Sequence, residues 1–201
     1  MPVITNFGVP VGSTPATTLM PKLQYRFRVT FIDMGNGQNL NETTQNVVSV
    51  SRPTLTHEEV IVDSYNSKMY LAGKHTWDPC TIVLRDDMNS HVLKAIGAQL
   101  NEQLNHADQA SATAGKGYKF SVDIETLDGG NGNDAPAAFD IWRLKGCFIS
   151  NVQYGELNYG TSEMVQVTLQ LRYDHAEHEV DSNNLLAQDP RADDGNTATD
   201  V

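Results

Sequence analysis

Several classes of protein are excluded by features that are rare or missing in this sequence. Only two of its 201 residues are cysteines, Cys80 and Cys147. Both fall in strand-like runs, so we expect two buried free thiols and not a disulfide framework. No apolar run approaches the roughly 20 residues that a membrane-spanning helix needs. The N-terminal stretch lacks the basic start and continuous apolar centre of a signal peptide.

Positive charge is also scarce. The chain carries 14 lysines and arginines against 25 aspartates and glutamates, for a net charge of −11. A protein that grips nucleic acid needs a basic face, so we expect no tight binding to DNA or RNA. Ordinary solubility is the simplest explanation of the charge. The other is a neutral or acidic wall past which DNA slides without sticking.

The sequence also lacks the motifs of common enzymes. No serine lies in a Gly-x-Ser-x-Gly elbow, and no glycine-rich phosphate loop precedes a lysine and a Ser or Thr. His175 and His178, with Asp174 and Glu177, form the only local cluster suited to a metal, and a spacing of three without a distant third ligand is weak. The turn-rich stretch 128–134 has its glycine at the wrong offset for a calcium loop. We therefore expect no enzyme, no cofactor and no metal.

Alternation of apolar and polar residues is the main pattern that the chain does contain. It predicts strands over 22–31, 46–51, 77–85, 118–125, 139–149 and 164–173. One helix is predicted over 89–104, after capping oxygens of Asp87, Asn89 and Ser90. Its apolar stripe is Leu93, Ile96 and Leu100. The predicted fold class is α+β and mainly β, a small β-barrel or sandwich with one flanking α-helix.

The chain divides into one domain and two loose ends. Residues 1–21 hold several prolines without a period and predict an extended arm, 22–178 form the domain, and 179–201 are an acidic, flexible tail. Inside the domain, the excursion 52–76 has few strand-like runs beyond a candidate strand over 57–62, and loops of that length are usually functional or interacting. It carries apolar and aromatic side chains that suit an interface. A hairpin folded onto its own domain is the alternative.

Two blocks of sequence carry a resemblance to a known family. The first is Asn66-Ser67-Lys68, Ala72-Gly73-Lys74, Trp77-Asp78 and Thr81-Ile82, followed by the helix. The second runs through Gly146–Ser150, Tyr154–Leu157 and Val165–Asp174. By their order and spacing, over roughly residues 20 to 178, these blocks resemble the tail tube protein of contractile-tailed bacteriophages, which is related in fold to type VI secretion inner-tube proteins. The resemblance implies a small β-barrel with a helix on its side and subunits that stack as hexameric rings.

The resemblance also implies a function. It is that of a structural virion protein, made in the host bacterial cytoplasm, whose stacked rings form the inner tail tube and the channel for genome ejection. The implied partners are further copies of the chain, the tail sheath, baseplate and tail-terminator proteins, and a tape measure protein in the lumen, while DNA passes without specific binding. Two alternatives stay open: the inner tube of a bacterial contractile injection or type VI secretion system, and an unrelated β-sandwich binding module.

Specific residues follow from this resemblance. The excursion 52–76 is expected to reach along the tube axis to the next ring, through Tyr65, Asn66, Met69, Tyr70, Leu71 and Lys74. The polar faces of the long strands are expected to line the lumen, through Gln24, Arg26, Arg28, Gln166, Thr168 and Gln170. Arg26 and Arg28 fit poorly in a wall that should be neutral or acidic. Pairing with acids across a subunit boundary is the alternative for these two arginines.

Overall fold

The computed structural model describes residues 22–37, 40–111, 117–129, 136–180 and 183–186. The predicted arm, and the predicted tail beyond residue 186, lie outside the described residues. The first half of the chain forms β1 (Phe27–Ile32), a 3-10 turn (Met34–Gly37), α1 (Leu40–Gln45), β2 (Val47–Val50), β3 (Leu55–Ser64), β4 (Ser67–Trp77), β5 (Cys80–Arg85) and α2 (His91–Gln103). The second half forms β6 (Leu104–Asn105), β7 (Ala110–Ser111), β8 (Phe120–Leu127), β9 (Ala138–Gln153), β10 (Gln166–Arg172), β11 (His175–Val180) and β12 (Asn183–Asn184). None of the described helices is long and apolar enough to cross a membrane.

One antiparallel sheet organises the body of the protein. Its strand order is β1-β8-β9-β10-β5-β2, with β11 also paired to β9. The 16-residue β9 joins two half-sheets, because its first part pairs with β8 and β11 and its last part pairs with β10. We call these the β8 half-sheet and the β10 half-sheet. The described strands form an open sheet and not a closed barrel, and the predicted mainly β fold class is confirmed.

The core lies between the inward faces of the two half-sheets and α2. The alternation predicted for β5 is confirmed, since Cys80, Ile82 and Leu84 are buried and Thr81 and Val83 are half-buried. The same alternation holds on β8 and β10. The largest fully buried apolar side chains are Phe31, Phe120, Met34, Ile82, Leu84, Ile96, Leu144, Leu169 and Leu171.

The helix α2 packs one face onto this core. The centre of that face differs from the predicted stripe. Its buried residues are Val92, Ala95, Ile96 and Gln99, and Leu93 and Leu100 pack at the margin, partly buried. Gln99 is buried but polar, so the apolar pattern alone predicted a stripe that includes Leu93 and Leu100. At the N-terminus, Asp87 Oδ1 accepts a hydrogen bond from the His91 amide at 2.7 Å. Ser90 has a left-handed backbone and makes no capping bond with its side chain.

The Gln103 side chain at the end of α2 completes an edge of the sheet. Its Nε2 donates to the Ile149 carbonyl oxygen at 3.0 Å, and its Oε1 accepts from the Ile149 amide at 3.0 Å. β8 pairs with β9 only as far as Cys147. The Gln103 amide therefore makes the two hydrogen bonds that a neighbouring strand would otherwise make to Ile149, where β9 passes from one half-sheet to the other.

Several predicted boundaries were wrong. β1 begins at Phe27 and not at Lys22, because Leu23 and Tyr25 lie exposed in the segment before it. α1 and β11 were not predicted, since their sequences, LNETTQ and HAEHEV, are polar and lack an apolar alternation.

The excursion 52–76 is more regular than its few strand-like runs indicated. This segment is a regular antiparallel hairpin of β3 and β4. The contiguous apolar run at 60–62 hides the period of two that marks a half-buried strand.

Candidate assembly surfaces

The β3–β4 hairpin projects from the body of the protein. Its strands are joined by a two-residue turn, in which Tyr65 has a left-handed φ of 45°. Every residue of β3 is exposed, and β4 is exposed except for Gly73 and the buried Trp77. The hairpin is therefore not folded onto its own domain, which was the alternative considered above.

One face of the hairpin is apolar. Directly opposed residues of an antiparallel pair project to the same side of the sheet. The register pairs Val62 with Met69 and Val60 with Leu71, so these four side chains form one cluster, each 38–52% exposed. We call it the apolar face of the hairpin. It is uncovered by any described part of the chain.

The six predicted contact residues all lie on the hairpin, but on different sides of it. Tyr65 and Asn66 form the tip, Met69 and Leu71 lie on the apolar face, and Tyr70 lies on the opposite face beside Ile61. Lys74 lies near the root, where a bulge shifts the register. Sequence reasoning missed Val60 and Val62, which complete the apolar face, although their i, i+2 spacing was visible.

Aromatic packing fixes the root of the hairpin. The buried Trp77 ring lies 5.9 Å from the Tyr173 ring and 6.3 Å from His75, between ring centroids. His175 contacts the same indole edge-on at 6.4 Å. The hairpin is thus anchored in the core at one end and free along the rest of its length.

A second candidate surface lies in the irregular connection 154–165 between β9 and β10. It encloses a cavity of about 540 Å³. Leu157, Tyr159 and Met164 line the cavity and are 69–111% exposed. The rest of the lining is mostly polar: its charged residues are Glu156 and Glu163, with no lysine or arginine, and Gln166 and Thr168 of β10 border it. We call this surface the β9–β10 groove.

A glycine allows the chain to turn into this groove. Gly155 has a φ of +74°, and a Cβ there would lie 2.8 Å from the Gln166 carbonyl oxygen. A larger residue would therefore meet both a strained backbone and a steric clash. The groove begins immediately where β9 ends.

Three of the predicted lumen residues share one outward face. Gln166, Thr168 and Gln170 alternate on β10 with buried residues. The strands on either side place Thr81 and Val83, and Asn151 and Gln153, next to them. Arg85 lies opposite Gln166 at one end of this face, Arg172 lies on it at the other end, and the named residues between them are uncharged.

The other three predicted lumen residues lie elsewhere. Gln24 is exposed before β1, and Arg26 Nη1 donates to the Asp128 carbonyl oxygen at 2.6 Å. Arg28 Nε donates to Glu125 Oε2 at 2.5 Å. Both arginines are therefore bonded within their own chain. The outward face of the β8 half-sheet continues this charge pattern with the ion pairs Arg143–Glu179, Arg143–Asp123 and Lys145–Glu177.

The two cysteines lie in the core. Cys80 and Cys147 are buried and free. Burial raises the pKa of the Cys80 thiol, and it raises the pKa of Cys147 to about 12. A cysteine reacts as its thiolate, so both side chains are inert at neutral pH.

The predicted histidine cluster is divided by strand geometry. His175 and His178 are three apart on β11, and alternate residues of a strand point to opposite faces. His178 stacks on Trp142 at 4.1 Å and shares a hydrogen bond with Asp140 at 2.7 Å. His175 contacts Trp77 instead. Among the described residues, no group of three histidines, cysteines, aspartates or glutamates could hold a metal ion.

Comparison with known proteins identifies the fold. The sequence matches no protein-family model and no curated protein. A chain of the anti-feeding prophage tube-terminating cap superposes with a TM-score of 0.62 at 13% identity, covering 86% of this chain and 99% of that chain. A chain of the PVC sheath–tube complex, from an extracellular contractile injection system, gives 0.61 at 13% identity, covering 85% and 99%. The fold is tail-tube-like.

The tail-tube-like fold confirms the family resemblance at the level of architecture. A chain of the anti-feeding prophage baseplate also shares it, with a TM-score of 0.55 at 16% identity, covering 79% of this chain and 95% of that chain. Identities this low establish the fold alone. The hairpin, the groove and the outward face of the β10 half-sheet are the features that support a role for this chain.

Proposed function

We propose that this chain is the repeating subunit of the inner tube of a contractile tail. Copies close into hexameric rings, and the rings stack into a channel through which a phage genome is ejected. The observation that carries the proposal is the exposed hairpin, because soluble monomers rarely leave a contiguous apolar cluster uncovered. The tail-tube-like fold supports the same role. The function is structural and needs no catalytic site.

The hairpin is the contact between successive rings in this proposal. The tip residues Tyr65 and Asn66, with Met69, Tyr70, Leu71 and Lys74, reach the next ring. Tyrosine and methionine are enriched at interfaces, where a few buried anchors supply most of the binding energy. The anchored root at Trp77 would transmit axial load from the hairpin into the core.

The outward face of the β10 half-sheet, which is uncharged between Arg85 and Arg172, is the proposed channel wall. Amide and hydroxyl groups such as those of Gln166, Thr168 and Gln170 neither attract nor repel phosphate strongly, so DNA could pass without binding. Arg28 is not needed in this wall, because Glu125 neutralises it on the other half-sheet. A map of the assembled tube with a strongly positive bore would contradict this assignment.

Other partners follow from the same role. A sheath would surround the tube, baseplate and terminator proteins would contact its two ends, and a tape measure protein would occupy the lumen. The expected location is the tail of a virion or particle.

The second candidate is the inner tube of a contractile injection system, which passes protein. The chains matched above come from the anti-feeding prophage and PVC particles, and PVC is an extracellular contractile injection system. Purified native particles separate the two candidates. Nuclease-protected DNA favours the phage tail, and protein cargo in the lumen favours the injection system.

Electron microscopy of the purified protein tests the proposal. The parent should form stacked rings. The variant with Tyr65, Met69 and Tyr70 changed to Ser should keep its circular dichroism spectrum and form no long tubes. Met88→Ser removes another fully exposed apolar side chain, outside the hairpin, and should assemble like the parent. A parent that elutes as a monomer and shows no rings would overturn the proposal, as would normal polymerisation of the triple variant.

A further inference from the structure

We infer that the apolar face of the hairpin and the β9–β10 groove fit each other. The apolar face of the hairpin of one copy docks into the β9–β10 groove of a copy in the next ring. This inference rests on the proposed tube function and adds the acceptor site and the polarity of the stack.

The strand order places these two surfaces at opposite ends of one strand pair. The hairpin leads into β5 at Cys80, and the groove segment leads into β10 at Gln166. β5 and β10 are antiparallel, with Cys80 opposite Leu171 and Arg85 opposite Gln166. The root of the hairpin and the groove are therefore separated by the six-residue length of β5. At about 3.4 Å per residue, this separation is roughly 17 Å.

The chemistry of the two surfaces is complementary. The hairpin presents Val60, Val62, Met69 and Leu71, and the groove presents Leu157, Tyr159 and Met164 around its cavity. The hairpin carries Lys68 and Lys74 together with Glu58, Glu59 and Asp63, and Lys68 pairs with Asp63. Lys74 is therefore the hairpin cation that docking would bring towards Glu156 and Glu163 of the groove. Docking would also bury the apolar side chains of the hairpin and the groove.

Symmetry favours the groove over a second hairpin as the acceptor. Two hairpins that paired with each other would form a two-fold contact, which closes on itself and stops. A hairpin in a groove is a heterologous contact, which leaves a free hairpin at one end of the assembly and a free groove at the other. Such a contact repeats without limit along one axis, as a tube requires.

Two complementary variants test the inference. The hairpin variant carries Met69→Asp and Leu71→Asp, and the groove variant carries Leu157→Asp and Met164→Asp. All four side chains are exposed, so each variant should fold. Neither should stack alone. An equal mixture should give two-ring particles of twice the ring mass by analytical ultracentrifugation, because only the groove variant's hairpin and the hairpin variant's groove can join.

Controls separate this inference from the tube function. Tyr25→Asp with Met88→Asp adds the same charge at other exposed apolar sites and should leave stacking unchanged. If the groove variant stacks as the parent does while the hairpin variant does not, the tube function stands and the groove is not the acceptor. A mixture that remains as single rings also overturns the groove assignment. A parent that never stacks overturns the proposed function itself.

A cross-link gives an independent result that does not depend on charge. Leu71→Cys with Leu157→Cys should form, on mild oxidation of assembled tubes, a ladder of disulfide-linked multimers on a non-reducing gel. Leu71→Cys alone should give at most dimers, since the native Cys80 and Cys147 are buried. Assembled tubes of the double variant that yield no ladder would contradict contact between the hairpin and the groove.

Discussion

The buried amide of Gln99 holds three separate parts of the chain together. Its Oε1 accepts from the Gly35 amide at 2.8 Å, and its Nε2 donates to the Tyr118 carbonyl oxygen at 2.6 Å. The side chain thus joins α2 to the 3-10 turn and to the segment before β8. Gly35 has a φ of +59°, and a Cβ there would lie 2.8 Å from the Ala95 carbonyl oxygen, so this contact requires glycine.

We predict that Gln99→Leu lowers the free energy of unfolding by about 2 to 4 kcal/mol. The substitution leaves two backbone groups unpaired in the interior, at about 1 to 3 kcal/mol each. Urea unfolding of the isolated subunit measures the loss. Gln170→Leu replaces an exposed glutamine and should change stability by less than about 0.5 kcal/mol. Equal effects of the two substitutions would show that the bonds of Gln99 contribute nothing net.

Asp140 gives the fold a defined response to acid. Burial raises the pKa of this carboxyl, but hydrogen bonds from Lys22 and His178 outweigh burial and hold the pKa below its ordinary value. A group whose folded pKa is lowered contributes stability above its unfolded pKa, and that stability is lost as the pH falls through the folded pKa.

We therefore predict that the stability difference between the parent and Asp140→Asn is larger at about pH 5.5 than at about pH 3. Urea unfolding at the two pH values measures it. Asp63→Asn is the control, because the exposed Asp63–Lys68 pair at 3.7 Å should contribute little at either pH. A difference that grows towards low pH would mean that the carboxylate is not the stabilised form.

At the scale of elements, α2 contains a glycine, Gly97, that no close contact requires. Gly97 lies in the middle of α2 on its exposed side, and a Cβ there would meet nothing within 4 Å. We predict that Gly97→Ala raises the free energy of unfolding by about 0.5 to 1 kcal/mol, since alanine loses less backbone entropy in a helix. Thermal unfolding of the isolated subunit checks this. No change in melting temperature would mean that this turn of the helix is already frayed.

The same elements show what sequence patterns can and cannot predict. β5, β8, β10 and α2 have one buried and one less buried face, and their periodicity predicted them within a few residues. β11 was not predicted from the sequence, because its pairing with β9 is made by the backbone and its side chains are mostly polar. In the hairpin only a candidate strand over 57–62 was predicted, because a hairpin that is exposed on both faces has no core to impose an alternation on its sequence.

Residues of the hairpin could be predicted from the sequence, whereas those of the β9–β10 groove could not. Tyr65, Met69, Tyr70 and Leu71 were identified from unusual composition in a polar stretch, which needs no knowledge of the register. Their division between two faces depends on cross-strand pairing, which composition does not encode. The β9–β10 groove is an irregular segment without a period, so only three-dimensional coordinates bring Leu157 and Met164 together.

At the scale of the whole molecule, the net charge of −11 opposes assembly. We predict that raising monovalent salt from about 10 mM to about 100 mM increases the assembled fraction, because the Debye length falls from about 30 Å to about 10 Å and screens the repulsion between subunits. Sedimentation of the parent measures the assembled fraction. The triple Ser variant should stay unassembled at both salt concentrations. Disassembly of the parent by salt would show that ion pairs, and not apolar contacts, dominate the interfaces.

The pairing of β1 with β8 has a consequence for synthesis on the ribosome. Phe27 opposes Thr126 across this pair, so the first strand stays unpaired until a partner about 100 residues later has been synthesised. At about 5 to 20 residues per second, that wait is roughly 5 to 20 seconds. The β3–β4 hairpin closes through a two-residue turn and can form within about 1 to 10 μs. During that interval the nascent chain exposes Val29 and Phe31 in addition to its apolar hairpin, and pairing with β8 then removes the first of these two aggregation-prone surfaces.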